Sequence, residues 1–198
     1  MRTFIAVELK PEIREYLSEV QTKTQTLCRR GTYVPQDNFH ITLHFLGEID
    51  AVDIEPLKEA MFEAAQRNRV FELELGQIGF FPKGRSGVLW AGVKKSPHLE
   101  RLFFHLQKSL ECQGFAREKK GLSPHITLGR EVEPQRSFAD VQKAVPMEKM
   151  RFGVESIALM ESVRMGPRLV YKPIYRQLLK GYQNREEIDK KSVREERK

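Results

Sequence analysis

Two cysteines in 198 residues, Cys28 and Cys112, are too few for a disulfide framework, and no C-x-x-C pairs them. Both are read as buried, reduced core residues of a cytoplasmic protein. No uncharged apolar run approaches the ~18 residues of a membrane span. The chain enters an apolar alternation directly after Met1, with no secretory pattern ahead of it. Neither secretion nor membrane insertion is therefore expected. The glycine-rich nucleotide-binding motifs are missing, as are H-E-x-x-H and any carboxylate-rich set beside a histidine. No cofactor and no metal are expected.

What is present suffices for a packed core. Apolar residues make up 40% and charged residues 31% of the chain, room for one domain or two small lobes. Net charge is +7, with an isoelectric point near 9.4. Such an excess suits an anionic partner, nucleic acid above all, although solubility alone would also account for it. The last stretch, 181–198, holds six basic and five acidic residues and little that is apolar. It reads as a solvated helix or disordered tail, so the basic excess belongs to the body, 1–180.

Strand and helix patterns alternate along that body. Thr3 to Leu9 reads as a strand, and Pro11 to Arg30 as a helix with Ile13, Leu17, Val20, Thr24 and Leu27 on one side. Phe39 to Gly47 alternates with period two. A helix over Asp53 to Asn68 and a strand over Val70 to Phe81 follow. The order then begins again: strand Gly87 to Val93, helix Ser96 to Gln113, strand His125 to Arg130, helix Ser137 to Val145 and a long strand Phe152 to Val163. Leu169 to Leu179 adds a last strand. His40 and His125 lie 85 positions apart, Ala6 and Ala91 also 85, and Cys28 and Cys112 lie 84 apart. One offset shared by a strand, a helix end and a motif indicates an internal duplication. The expected fold is α+β, with two pseudo-symmetric repeats in one bilobal unit over 1–180, antiparallel-rich sheets facing a central cleft and helices outside.

The duplicated motif is His40-Ile41-Thr42-Leu43 and His125-Ile126-Thr127-Leu128. Residues two apart on a strand share a face, so each histidine stands beside its threonine while the aliphatic pair faces the core. Across a pseudo-two-fold cleft, two imidazoles and two hydroxyls would converge. That set suits phosphodiester hydrolysis. One imidazole takes a proton from water, the other gives one to the leaving oxygen, and the hydroxyls hold the non-bridging oxygens. A single H-x-T is freely supplied by chance, and a lone strand histidine is commonly structural. Recurrence at the repeat offset is what argues for function. A metal pair of His40 and His44 is disfavoured, because four strand residues span ~13 Å.

These motifs resemble the two-histidine phosphoesterase superfamily, most closely the LigT-like RNA 2′,3′-cyclic phosphodiesterases, also called 2′-5′ RNA ligases. The resemblance covers roughly residues 1–180: the opening RTFIAVEL, the motif NFHITLHFLG, the strand GVLWAGV and the motif SPHITLGR. It implies a bilobal fold with a basic cleft, and hydrolysis of RNA ends bearing a 2′,3′-cyclic phosphate to 2′-phosphates. Some members also join RNA through a 2′-5′ bond. Carried over, His40 and His125 are the catalytic pair; His40 is assigned as proton donor and His125 as acceptor, and the near-symmetry of the motifs leaves the reverse order open. Thr42 and Thr127 hold the phosphate. Arg130 matches the family pattern, but strict alternation puts it on the face opposite His125, so the strand must end or twist there. Alternatives are a phosphodiesterase acting on another cyclic or 2′-5′ linked nucleotide, and a non-catalytic RNA-binding module.

Around the motifs, Phe81, Lys83 and Arg85 are candidates to hold the nucleotide, the competing reading being an ordinary hairpin with surface charges. Arg117, Lys119, Lys120, Arg164 and Arg168 offer further phosphate contacts, and Tyr171 and Tyr175 either pack or stack. Trp90, aligned with Ile5, is read as core. Phe45 points with Ile41 and is also read as core, and His44 as a histidine on the cleft rim or held by a hydrogen bond. RNA ends or nucleoside 2′,3′-cyclic phosphates are the expected partners, and a monomer the expected state.

Overall fold

Ile5 and Val7 leave the first strand on one side and Phe4 and Ala6 on the other, and both sides are buried. The first strand is thus a central one. The structure, a computed structural model, describes residues 1–118, 120–166 and 168–182. The tail beyond 182 and Lys119 lie outside the described residues. In chain order the elements are β1 (Arg2–Glu8), α1 (Pro11–Gln25), β2 (Cys28–Tyr33), β3 (His40–Glu48), α2 (Ile54–Gln66), β4 (Phe71–Lys83), β5 (Ser86–Val93), α3 (Pro97–Cys112), β6 (His125–Pro134), α4 (Phe138–Ala144), β7 (Arg151–Val154), β8 (Ser156–Met165) and β9 (Arg168–Leu178).

Two antiparallel sheets result, ordered β3-β1-β8-β9 and β2-β6-β5-β4-β7, so the fold is α+β and bilobal as expected. Elements recur in step: β3 starts at His40 and β6 at His125, β4 at Phe71 and β8 at Ser156. The lobes are not simply the two halves of the chain. β4 of the first half pairs with β5, and β8 of the second half pairs with β1. Each sheet therefore takes its third strand from the other half. The first sheet curls until the start of β9 hydrogen-bonds back to Asn38, just ahead of β3 at the opposite edge.

Helices cover the core faces. Ile13, Leu17 and Val20 of α1, Leu57, Met61 and Ala64 of α2, and Leu99, Leu102 and Leu106 of α3 join Ile5, Ile41, Ile126 and Leu128 in one cluster. Each fully buried aliphatic side chain there contributes about 1.5–3 kcal/mol. Pro11 and Pro97 open their helices, and Ser96 Oγ accepts from Leu99 N at 3.4 Å, a cap that the Ser-Pro pair announced.

Three expectations are corrected. The first helix stops at Gln25 rather than Arg30, and Cys28–Tyr33 forms an edge strand on β6. Thr22, Thr24 and Thr26 each turn their hydroxyls onto preceding carbonyls, a competition that weakens a helix end. The long strand from Phe152 is two strands in two sheets. It breaks at Glu155, whose carboxylate holds Lys10 at 2.8 Å and whose carbonyl accepts from Leu179 N. Cys28 is half-buried at the edge of the core and Cys112 is exposed, so neither is buried as expected, and both are free thiols.

Gly79 marks the tightest approach in the second sheet. A Cβ there would lie 2.1 Å from the Trp90 ring. Replacing Gly79 with Ala must displace a rigid indole, at a cost of about 1–3 kcal/mol in urea unfolding; an unchanged midpoint would show that the indole shifts freely.

Candidate functional site

One extra residue in each motif strand decides what faces the cleft. Opposite β1, Ala6 pairs with Thr42 but Ile5 pairs with His44, leaving Leu43 as a bulge. Opposite β5, Trp90 pairs with Thr127 but Leu89 pairs with Gly129, leaving Leu128 as a bulge. The two bulges are 85 residues apart, like the histidines. Beyond each one the alternation changes phase. His44 is consequently 3% exposed and Phe45 66% exposed, which reverses the expectation that Phe45 is core. In β6 the same shift brings Arg130 to the side of His125 and Thr127, where it is exposed. This supplies the twist that Arg130 required. Glu131 follows at φ 52, a left-handed conformation near the place where the first motif has Gly47 at φ 79.

The histidines are held alike. His40 Nδ1 lies 2.7 Å from the Asn38 carbonyl oxygen, and His125 Nδ1 lies 2.8 Å from that of Ser123. A carbonyl only accepts, so each Nδ1 carries the proton and each neutral ring keeps its Nε2 lone pair. His40 Nε2 accepts from the Thr42 hydroxyl at 3.0 Å. Each ring also leans on two aromatics. For His40 they are Phe4, with centroids 4.8 Å apart, and Tyr171 at 5.1 Å edge-on. For His125 they are Phe81 at 5.4 Å edge-on and Trp90 at 6.2 Å.

Their surroundings differ. Burial pushes the His40 imidazole down to a pKa of about 4; the Asn38 carbonyl opposes this, while charge on His125 and Arg130 adds to it. β3 and β6 lie against each other, and the charge of His125 and Arg130 reaches His40. His44 is also pushed down by burial. It lies 2.7 Å from Gln107 Nε2, and Gln107 Oε1 accepts from Glu118 N at 2.8 Å. It is therefore a buried linker between β3, α3 and the segment before the second motif.

Of the outer candidates, Phe81 stands against His125. Lys83 sits at the exposed β4–β5 turn, and Arg85 there reaches Glu133 at 3.8 Å. Arg164 and Arg168 are exposed at the β8–β9 turn, and Arg117 and Lys120 are exposed ahead of β6. Trp90 belongs to the cleft face rather than the core: it is half-buried, pairs with Thr127 across the ladder, and its ring stands against Phe81 and His125.

Asn38 and Phe4 are cleft residues that the motif reading missed. Asn38 is 6% exposed; its Nδ2 donates to Leu169 O at 2.6 Å and its Oδ1 accepts from Tyr171 N at 3.0 Å. It thus ties the β8–β9 hairpin to the carbonyl that orients His40. A buried amide two residues before a motif histidine was the available signal.

The sequence profile of the LigT like Phosphoesterase family matches residues 7–90. A Thermotoga maritima protein named RNA 2′,3′-cyclic phosphodiesterase is 30% identical over 179 residues, covering 88% of this chain and 94% of its own length. Among solved structures, TT0787 of Thermus thermophilus superposes with a TM-score of 0.76 at 28% identity, covering 92% of this chain and 100% of that one. LigT of E. coli complexed with 3′-AMP superposes with a TM-score of 0.73 at 27% identity, covering 90% and 98%.

Two outcomes follow from this geometry. Replacing Asn38 with Ala leaves two part-buried backbone groups of β9 without their side-chain partner, at about 1 kcal/mol in urea unfolding; full stability would show that the hairpin is not anchored there. The depressed histidines set an acid limit. Below pH 6.5 the unfolded chain binds protons that folded His40 refuses, so stability falls as pH drops from 6.5 towards 4, by about 3 kcal/mol from His40. His40→Asn should flatten that slope; an unaltered slope would assign it elsewhere.

Proposed function

The chain belongs to the LigT-like phosphoesterase family, and on that premise we propose that it hydrolyses RNA ends carrying a 2′,3′-cyclic phosphate to 2′-phosphates. The observation that carries this is the matched pair of imidazoles. Each has Nδ1–H committed to a carbonyl two residues back, and the two are electrostatically coupled. A binding module needs no such pair of proton carriers.

Water attacks phosphorus opposite the P–O3′ bond. His125 Nε2 takes the proton of the attacking water as the new P–O bond forms. The P–O3′ bond breaks, and His40 Nε2–H delivers its proton to O3′. The product is a 2′-phosphomonoester with a free 3′-hydroxyl. Thr42, Thr127 and Arg130 offset the charge that grows on the non-bridging oxygens, with no metal in the step. In the empty cleft His40 is neutral at pH 7. The negative charge of a bound phosphate offsets the cause of that depression, so His40 gains its proton together with the substrate. Phe45 and Phe81, exposed on the two sides of the cleft, offer ring faces for the terminal base. An RNA 5′-hydroxyl in place of water gives a 2′-5′ bond by the same displacement, the ligase direction. Residues 1–180 act as one bilobal unit, as a cytoplasmic monomer.

The test is turnover of a nucleoside 2′,3′-cyclic phosphate in the presence of a chelator, with identification of the product. A 2′-nucleotide is expected, and His40→Ala and His125→Ala should each lower kcat/KM by about 10²-fold or more. A 3′-nucleotide product, loss of activity on chelation, or near-wild-type rates in both variants would each overturn the mechanism.

A further inference from the structure

We propose that a second site, between the end of α2, the opening of α3 and the start of β4, binds the phosphodiester backbone of the RNA away from its reacting end. This rests on RNA being the substrate. The site is a cavity of about 250 Å³ lined by Arg67, Asn68, Arg69, Phe71, His98 and Arg101. It shares no residue with the histidine cleft.

Several arginines elsewhere on this surface have a carboxylate partner: Arg14 with Asp37, Arg30 and Arg85 sharing Glu133, Arg151 with Glu74 and Arg176 with Glu8. Among the described residues, Arg67, Arg69 and Arg101 have no carboxylate partner. The fields of Arg67 and Arg101 converge. His105 nearby is pushed down first by burial and then by Arg67, Arg101 and Lys108. The end of α2 accounts for one cation through its carbonyl ends, but not for Arg101 on the neighbouring helix.

The roots of these side chains are fixed. Asn68 is 5% exposed; its Nδ2 donates to Ala64 O at 2.7 Å and to His105 Nδ1 at 2.9 Å, and its carbonyl accepts from Lys180 N at 3.0 Å. Val70 N donates to Lys180 O at 3.2 Å, so Arg69 lies in a bridged segment. Phe71 and His98 stack with centroids 5.8 Å apart and form a flat wall. Rigid roots, unpaired guanidinium heads and a flat wall fit phosphates with a base beside them.

The experiment compares wild type with Arg67→Glu/Arg101→Glu on two substrates: a nucleoside 2′,3′-cyclic phosphate and a graded series of oligoribonucleotides with the same end. Turnover of the mononucleotide should be unchanged. KM for long RNA should rise ~10-fold, only above a threshold length, and the salt slope of binding should fall by about 0.7 for each phosphate left without its cation. Equal losses on both substrates, or none on long RNA, would overturn the site. So would an equal rise in Lys143→Glu/Lys149→Glu, which removes the same charge elsewhere. Arg67→Gln/Arg101→Gln repeats the test with less risk to folding. Fluorescence anisotropy of a labelled oligoribonucleotide with wild type and both variants separates the two readings. Binding that depends on Arg67 and Arg101, without any turnover by wild type, would keep this site and discard the catalytic proposal.

Discussion

An extra residue directly after the motif threonine in each of two strands governs the cleft. A regular strand would send Phe45 and Arg130 into the core with Ile41 and Ile126, and His44 and Gly129 outward. The bulges at Leu43 and Leu128 invert this. Four motif positions then face the cleft in step, and the next cleft position is aromatic in one half and cationic in the other. The cleft is built symmetrically and finished asymmetrically, with an exposed ring beside His40's strand and a guanidinium beside His125's.

The same asymmetry separates the imidazoles. Both rings are oriented by a carbonyl two residues earlier, which needs nothing from the side chain at that position. Asn38 and Ser123 can therefore differ. Asn38 spends its amide on the β8–β9 hairpin, and that hairpin delivers Tyr171 against His40. Enclosure by Tyr171 and Phe4 desolvates His40, whereas the corresponding side of His125 is bordered by Phe81, 42% exposed. Two rings in equivalent positions thus meet different surroundings, and burial depresses the His40 imidazole.

Most of the strand and helix order was legible, because period-two and helical patterns are strong around Ile5, Ile41, Leu99 and Ile126. The paired H-x-T motifs were legible because repetition at a fixed offset lifts a weak motif above chance. Three features were not. Arg29 to Tyr33 carries no apolar alternation, since an edge strand with one covered side needs little of it. Phe152 to Val163 carries strand formers on both sides of Glu155, and such a run does not disclose that Glu155 hands it from one sheet to the other. Phe45 was misplaced, and the twist that Arg130 required had no visible source, because alternation was extended through bulges, which depend on pairing with β1 and β5 and leave no mark in the strand's own residues.

The exchange of third strands explains how two half-sites stay in register. β4 leaves the first half to complete the sheet that carries His125, and β8 leaves the second half to complete the sheet that carries His40. Neither half can close its own sheet, so neither histidine strand is supported without the other half folded. β4 also brings Phe81 to His125, and the β8–β9 hairpin brings Tyr171 to His40: each imidazole receives an aromatic neighbour from the opposite half of the chain. Chemistry that needs two groups on one phosphorus requires their separation to be set by packed sheets rather than by a hinge. The crossed strands do that, because each half of the chain is laddered into both sheets and the two sheets share one packed core, so the halves cannot separate without breaking main-chain ladders in both sheets at once.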